Sequence, residues 1–407
     1  MMKNNRAARR GNILLLSASL LPVLLGLAAF TIDMGYMILA NSQLSNTADA
    51  AALAGVSGLL PLQTLAVGET TAPDQATQVP YINTARTRAA AFAALNKAGG
   101  TSITIPDARL TADILVGYQA NPGDTVSTTS PNLPNAVAVT VRRDTQANGP
   151  ISLFFAPVLG VPTYSTTATA TAAFKPLTVT SFKSTPGLRA KLLPVAVAAN
   201  LWRDLMTNGV SPDGASHDTY TVRLPTNSIT PPNNVTTAPD NVPEFTDAYG
   251  DKTSPGNFGL VSLGHPASSD PTFSDWITKG PDSTDIQYLL DNNLLPITPN
   301  KSGEFPAWDA GPGLKSNLVT DLNDIIGQPR IVPLYNTYSG QGTGATYNIV
   351  GFAGVTVVQA TDRGNNIQIT LQPIPVTDPT AIATPTAGEG TAQINASSLV
   401  YRLSITN

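Results

Sequence analysis

Residues Ile13–Ile32 read ILLLSASLLPVLLGLAAFTI, twenty positions without a charged side chain. At about 1.5 Å of rise per residue, a helix of that length matches a hydrocarbon core roughly 30 Å thick. Lys3, Arg6, Arg9 and Arg10 precede the run, and the next basic residue is Arg86. The flanking positive charge therefore lies wholly on the amino-terminal side, which places that end in the cytoplasm and the remainder outside it. The competing reading is a cleaved secretory signal. Its apolar core would be shorter, roughly 7–15 residues, and the nearest small-x-small site, Ala52-Leu53-Ala54, lies twenty residues beyond Ile32. An uncleaved single-pass anchor is the expectation. Pro22 predicts a kink within it, because proline removes a backbone donor and crowds the carbonyl one turn earlier.

The helical pattern continues past the apolar run. Residues 33–58 contain no proline and are rich in Ala, Leu and Met, so one helix from Gly11 to Ser57 is expected. Its outer half sets Ala40, Leu44, Ala48 and Ala52 at i, i+4 spacing, a narrow seam of mostly small side chains on one face. Small side chains let another helix approach closely. The seam packs either on this protein's own globular part or on another subunit. Asp33 is the first acidic residue after the run; at the exported interface it stays hydrated as a boundary marker, or it bonds to a neighbouring subunit.

Composition excludes several functions. Charged residues make up 12% of the 407, with a formal net charge of −4. Phosphate contacts need clustered Lys and Arg, and beyond the basic arm the densest pair is Arg142-Arg143, so no nucleic-acid partner is expected. Zero cysteines remove disulfides, thiolate nucleophiles and Cys-ligated zinc together. The length remaining after the anchor accommodates two ordinary modules.

Along the chain, 61–80 reads as a loop and 84–98 as a helix. Strand signals follow at 102–105, 110–118, 136–143 and 163–174, the third alternating Val137, Val139 and Val141. From Pro176 onward Pro, Asn, Thr, Gly and Ser dominate. Short helices are expected at 196–206, 283–292 and 314–326, and strands at 219–224, 330–335, 347–359, 367–373 and 398–405. The segment 377–390 reads as a surface loop.

Candidate chemistry is sparse. His217 lies near Asp213 and Asp218, where imidazole can serve acid–base work or a cation, but a polar turn in solvent is the expected reading of the trio. His265 is the only other histidine. No Gly-x-Ser-x-Gly elbow occurs for a serine nucleophile. Gly340-Gln341-Gly342-Thr343-Gly344 lacks the following Lys-Ser or Lys-Thr of a phosphate loop and joins two strand patterns, so it reads as a hairpin connection. Asp270, Asp275, Asp282, Asp285 and Asp291 lack the spacing of a calcium loop and are expected to cap helices or face water.

Taken in order, the basic arm, Gly11, the apolar run, Asp33-x-Gly35-Tyr36, Gln43-Leu44 and Ala48-Asp49-Ala50-Ala51-Ala52-Leu53-Ala54-Gly55 resemble the amino-terminal segment of TadE/TadG-like Flp (Tad) pilus assembly proteins. The resemblance continues through the helix bearing Asn96, the strand 136–143, Phe154-Phe155-Ala156-Pro157-Val158-Leu159-Gly160 and Ala168-Thr169-Ala170. It extends more loosely to Gly256-Asn257-Phe258-Gly259-Leu260 and 347–353. Leu16 stands where prepilin processing after Gly11 would call for Glu. The Asp-x-Ser-x-Ser metal motif of the von Willebrand A domains carried by some TadG-like proteins does not occur here, so no metal or adhesion chemistry is carried over from them.

The expected fold class is α+β. A cytoplasmic basic arm (1–10) leads to the transmembrane helix and its exported extension (11–58). An α+β pilin-like module (59–175) and a β-rich exported domain (176–407) follow. The resemblance implies a non-catalytic component of a Tad/Flp pilus or secretion apparatus in the bacterial inner membrane. It would be partnered by the lipid bilayer and by other assembly subunits through the amino-terminal helix, with no cofactor and no small-molecule substrate. The alternatives are a membrane-anchored binding or adhesion module that shares only the amino-terminal segment, and an extracytoplasmic hydrolase.

Overall fold

A computed structural model describes residues 8–66, 73–176, 178–208, 221–223, 228–230, 244–249, 258–264, 270–311, 316–340, 344–362, 367–383 and 398–406. Lys3, Arg6, Asp213, His217, Asp218 and His265 lie outside the described residues. Helix α1 runs Ala8–Ser57 and passes uninterrupted through Pro22; at about 1.5 Å per residue it is roughly 75 Å long. Among the described residues it is the one helix long and apolar enough to cross a membrane.

Helix α2 spans Gln75–Ala94, and the Asp74 side chain caps it by accepting from the Thr77 N–H at 2.8 Å. It begins nine residues before the expected Thr84. Pro80 reads as a breaker in the sequence, but the cap and the exposed first turns accommodate it. Both helices lie against a five-stranded sheet with the order Val376–Thr377, Val400–Ile405, Thr166–Pro176, Ala136–Arg143, Ile114–Gly117. The first pair is parallel and the others antiparallel. Val137, Val139 and Val141 are buried, as their alternation requires. The chain's last strand completes the sheet of the amino-terminal module, pairing Tyr401–Ile405 with Pro176–Ala172. The T-shaped contact of Phe174 with Tyr401, centroids 5.2 Å apart, packs that junction.

The second sheet runs Phe245–Tyr249, Ile367–Pro373, Thr346–Asp362, Pro329–Ser339, Val195–Ala198, Phe258–Leu260, with Ala307–Asp309 beside Thr346–Asp362. Gly340, at φ +81°, starts the connection between Pro329–Ser339 and Thr346–Asp362; a Cβ there would lie 2.5 Å from the Gly344 carbonyl oxygen. The structure is α+β, and one buried cluster extends from Leu44 on α1 through both sheets to Tyr401.

Local differences from expectation have physical causes. Val195–Ala198 is a strand, with helix only from Ala199 to Asn208. Its four residues are buried between two strands, and a short run apolar on both faces has no period that separates strand from helix. Leu110–Asp113 is one helical turn before the strand, tied by the Arg109–Asp113 pair at i, i+4. The helix Asp270–Lys279 is not among the expected elements, although the i, i+3, i+4 spacing of Phe273, Trp276 and Ile277, all buried, carries its signal.

Candidate functional site: the collar around Asp33

Asp33 marks a change in the surroundings of α1. From Leu16 to Ile32 every residue except the half-buried Ala29 is exposed, and Leu16, Leu25 and Phe30 all lie among the exposed large apolar side chains. From Asp33 onward one face is buried: Asp33, Ala40, Leu44, Ala48, Ala51, Ala52, Gly55. A helix apolar on all sides with nothing packed against it has the surface of a membrane span. A helix with one buried stripe belongs to a globular domain.

The Asp33 carboxylate, 3% exposed, accepts three backbone N–H groups: Phe154 at 2.8 Å on Oδ1, and Phe155 at 3.0 Å and Ala156 at 2.6 Å on Oδ2. These donors stand at the head of the 3-10 turn Ala156–Leu159. The turn lies between Ile151–Ser152 and Thr163–Tyr164, which pair as a small hairpin. One turn along α1, the Tyr36 hydroxyl donates to the Gly99 carbonyl at 3.0 Å, while its ring meets Phe154 edge-on at 5.1 Å. Gln43 Oε1 accepts from the Gly99 N–H at 2.9 Å. Gly99 must be glycine: its φ is +55°, and a Cβ would come within 3.3 Å of the Tyr36 hydroxyl and 3.5 Å of Ala40 Cβ.

Arg143 closes the collar from the sheet side. Its buried guanidinium donates to the carbonyls of Gly149 at 2.9 Å, Pro150 at 3.2 Å and Ala98. Burial lowers its pKa while the nearby Tyr36 acts in the opposite sense, and the side chain remains a cation. The adjacent Arg142 points elsewhere, to Asp113 at 2.9 Å, which also receives Arg109 at 2.6 Å. The basic pair is thus split between two structural roles.

The seam residues Ala40, Leu44, Ala48 and Ala52 are fully buried within this chain. Of the two readings left open for the seam, the structure shows packing on this chain's own globular part, and Asp33, read as a hydrated boundary marker or a subunit contact, is instead covered by the 153–156 backbone of its own chain. Of the remaining motif residues, Ala51 and Gly55 are buried, and Asp49, Ala50 and Leu53 are half-buried. A Cβ at Gly55 would lie 3.0 Å from Val137 Cγ1 and 3.1 Å from Ala89 Cβ, so glycine sets the approach of α1 to α2 and the sheet. Gly35 is exposed with nothing within 4 Å of such a Cβ, and nothing in the structure explains it. Ile13 and the side chains of Arg9 and Arg10 belong to the part of α1 where side chains are not described; Pro22 and Ile32 are exposed.

The acidic residues of 275–291 are structural. Asp282 accepts from the N–H groups of Thr284 and Asp285, and Asp285 accepts in return from the Asp282 N–H at 3.0 Å, a capping box for Ser283–Asp291. Asp275 pairs with Arg189 and Lys279. Among the described residues no group of three His, Asp or Glu is placed to hold a metal.

This geometry defines a class of protein: a long helix, uncovered and apolar at one end, packed at the other on a mostly antiparallel sheet, and held at the point of transition by the 154–156 turn. Residues 11–58 match the family model described as Flp pilus-assembly TadE/G-like, and residues 65–172 that described as Tad-like Flp pilus-assembly. Over those residues the chain is similar to Tad-type Flp pilus-assembly proteins, and the sheet spanning Val195–Pro373 lies outside both matches. The first match ends one residue after α1, and Asp33 in it grips a turn that belongs to the second. No curated protein and no solved structure matches the chain.

Proposed function

We propose that this protein is a non-catalytic, membrane-anchored pilin-like or scaffold component of a Tad/Flp pilus apparatus. Residues 13–32 cross the bacterial inner membrane with the amino terminus in the cytoplasm, and everything beyond Asp33 is exported. The observation that carries this reading is the change at Asp33 from a helix uncovered on all sides to one buried against its own sheet. The charge asymmetry of Lys3, Arg6, Arg9 and Arg10 supports the orientation. Because the small-residue seam is occupied internally, other subunits are met through the face of α1 that stays open beyond Asp33, where Met34, Ile38 and Leu39 are exposed.

The native chain has no cysteine, so a single Thr129→Cys, at an exposed position, reports topology. A membrane-impermeant maleimide should label it in spheroplasts with an intact inner membrane; labelling only after rupture overturns the orientation. For the scaffold role, the tagged chain should copurify other pilus-assembly subunits, and Ile38→Glu with Leu39→Glu should abolish that capture at unchanged melting temperature. Undiminished capture rejects this face as the contact.

A further inference from the structure

The loop held by Asp33 reads Leu153-Phe154-Phe155-Ala156-Pro157-Val158-Leu159-Gly160-Val161-Pro162, ten residues with no polar side chain. No charged residue occurs anywhere from Thr145 to Phe174. Yet this loop is not core: Phe154 is 64% exposed, Val158 88% and Leu159 80%, with Phe155 and Val161 also open. An exposed apolar patch of this kind, presented by a fixed turn, calls for an apolar partner.

Its place in the fold says which. The three hydrogen bonds that the loop donates to Asp33 hold it at the level on α1 where the uncovered apolar segment ends. The exposed apolar side chains of the loop thus stand at the level of Phe30, Ile32 and Met34 on α1, which are themselves exposed. The backbone is also prepared for an apolar phase, which supplies no partner for a free N–H. Pro157 and Pro162 have none to satisfy. Leu153 donates to the Pro162 carbonyl, Val158 to Phe155, Gly160 to Pro157 and Val161 to Ala156, at 3.0–3.1 Å. Phe154, Phe155 and Ala156 donate to Asp33.

We infer that the 153–162 loop is a second membrane element that dips into the exported leaflet of the bilayer beside the anchor, so that the globular part is docked on the membrane at two points. Asp33 is the positioning residue: its carboxylate orients the loop and supplies the acceptors that lipid cannot. The depth follows from the short reach of a four-residue turn, the roughly 5–10 Å of interfacial insertion rather than a crossing. This inference rests on the anchor reading above, since a chain without a membrane span at 13–32 would leave the loop no leaflet to enter.

The test uses the full chain in phosphatidylcholine–phosphatidylglycerol vesicles, with single-cysteine variants carrying an environment-sensitive fluorophore. Leu159→Cys and Val158→Cys report the loop, and both side chains are exposed enough to be replaced without disturbing packing. Leu24→Cys reports the anchor. Thr129→Cys lies in the connection between Gly117 and Ala136, at the end of the sheet opposite the loop. Nitroxide-labelled lipid and aqueous iodide are the quenchers. The expected result is a blue shift at 158 and 159, quenching by nitroxide borne high on the acyl chain, and loss of iodide quenching, with the reverse at 129. If Leu24→Cys is quenched by nitroxide lipid while 158 and 159 stay open to iodide, the loop proposal fails and the anchor stands. If Leu24→Cys itself escapes nitroxide, both fall. If 158 and 159 are shielded from iodide but not quenched by nitroxide, and the shielding vanishes on dilution with excess lipid, a second copy of the chain covers the loop and the inference is overturned.

Discussion

The contact of α1 with α2 and the first sheet is set by Gly55, and a pair of glycine substitutions isolates its steric part. Gly55→Ala and Gly35→Ala both replace glycine within the same helix, so each gains about 1 kcal/mol of helix propensity. At Gly35 nothing else changes, because no atom lies within 4 Å of the added methyl. At Gly55 the methyl meets Val137 Cγ1 at 3.0 Å, Ala89 Cβ at 3.1 Å and the Ala85 carbonyl oxygen at 3.3 Å. Val137 is a buried, β-branched residue of a central strand and Ala89 is part of a packed helix, so neither retreats by a rotamer change. Overpacking of this kind costs about 1–3 kcal/mol. Gly55→Ala should therefore be roughly 0–2 kcal/mol less stable than wild type and about 1–3 kcal/mol less stable than Gly35→Ala. At about 2–4 °C per kcal/mol for a module of this size, the two variants should melt roughly 2–12 °C apart. Thermal unfolding in detergent, followed by circular dichroism and by protease resistance of the globular part, measures the difference. Equal melting temperatures, or a higher one for Gly55→Ala, would refute the packing of α1 described above.

Asp33→Ala removes the acceptor for three N–H groups, so amide hydrogen exchange at Phe154, Phe155 and Ala156 should accelerate while the strands Ile114–Gly117, Ala136–Arg143 and Thr166–Pro176 stay protected; unchanged exchange would show that the carboxylate does not hold the loop. Asp113 is buried, which opposes its ionisation, but hydrogen bonds and charge from Arg109 and Arg142 outweigh this and hold its carboxyl below the ordinary value. A carboxyl with a depressed folded-state pKa contributes stability that is present above its unfolded pKa of about 3.9 and lost as pH falls through the folded value. Asp113→Asn should therefore be less stable than wild type near neutrality, with the gap closing in acid as measured by urea unfolding across pH; a gap independent of pH contradicts the triad. Phe174→Ala should cost about 3–5 kcal/mol, and a chain ending after Ala383 should lose at least as much because it lacks the partner strand Val400–Ile405. A protease-resistant 75–176 core surviving in that truncated chain would overturn the role of the last strand.

What the sequence determined by itself is what depends on neighbours within one turn or one strand. Ile13–Ile32 reads as a span because length and lack of charge suffice. The strands Ala136–Arg143 and Ile367–Pro373 coincide with their patterns because alternation is a local property. The seam Ala40, Leu44, Ala48 and Ala52 was likewise visible as a buried-type face, and the family motif around Asp33 was readable in order. The partner of each face was not. What Asp33 bonded depended on contacts 121–123 residues away in the chain, and whether the seam met this chain or another depended on how α1 packs on α2 and the sheet; helical periodicity carries no information on either. The loop 153–162 shows the same division. Its composition was plain, but Pro157, Gly160 and Pro162 gave it no period, and only the tertiary structure sets its turn beside the end of the span. The last strand, Val400–Ile405, was legible as a strand, yet its return to the amino-terminal sheet was decided by packing, where the Phe174–Tyr401 contact and an otherwise open edge at Thr166–Pro176 favour closure over exposure.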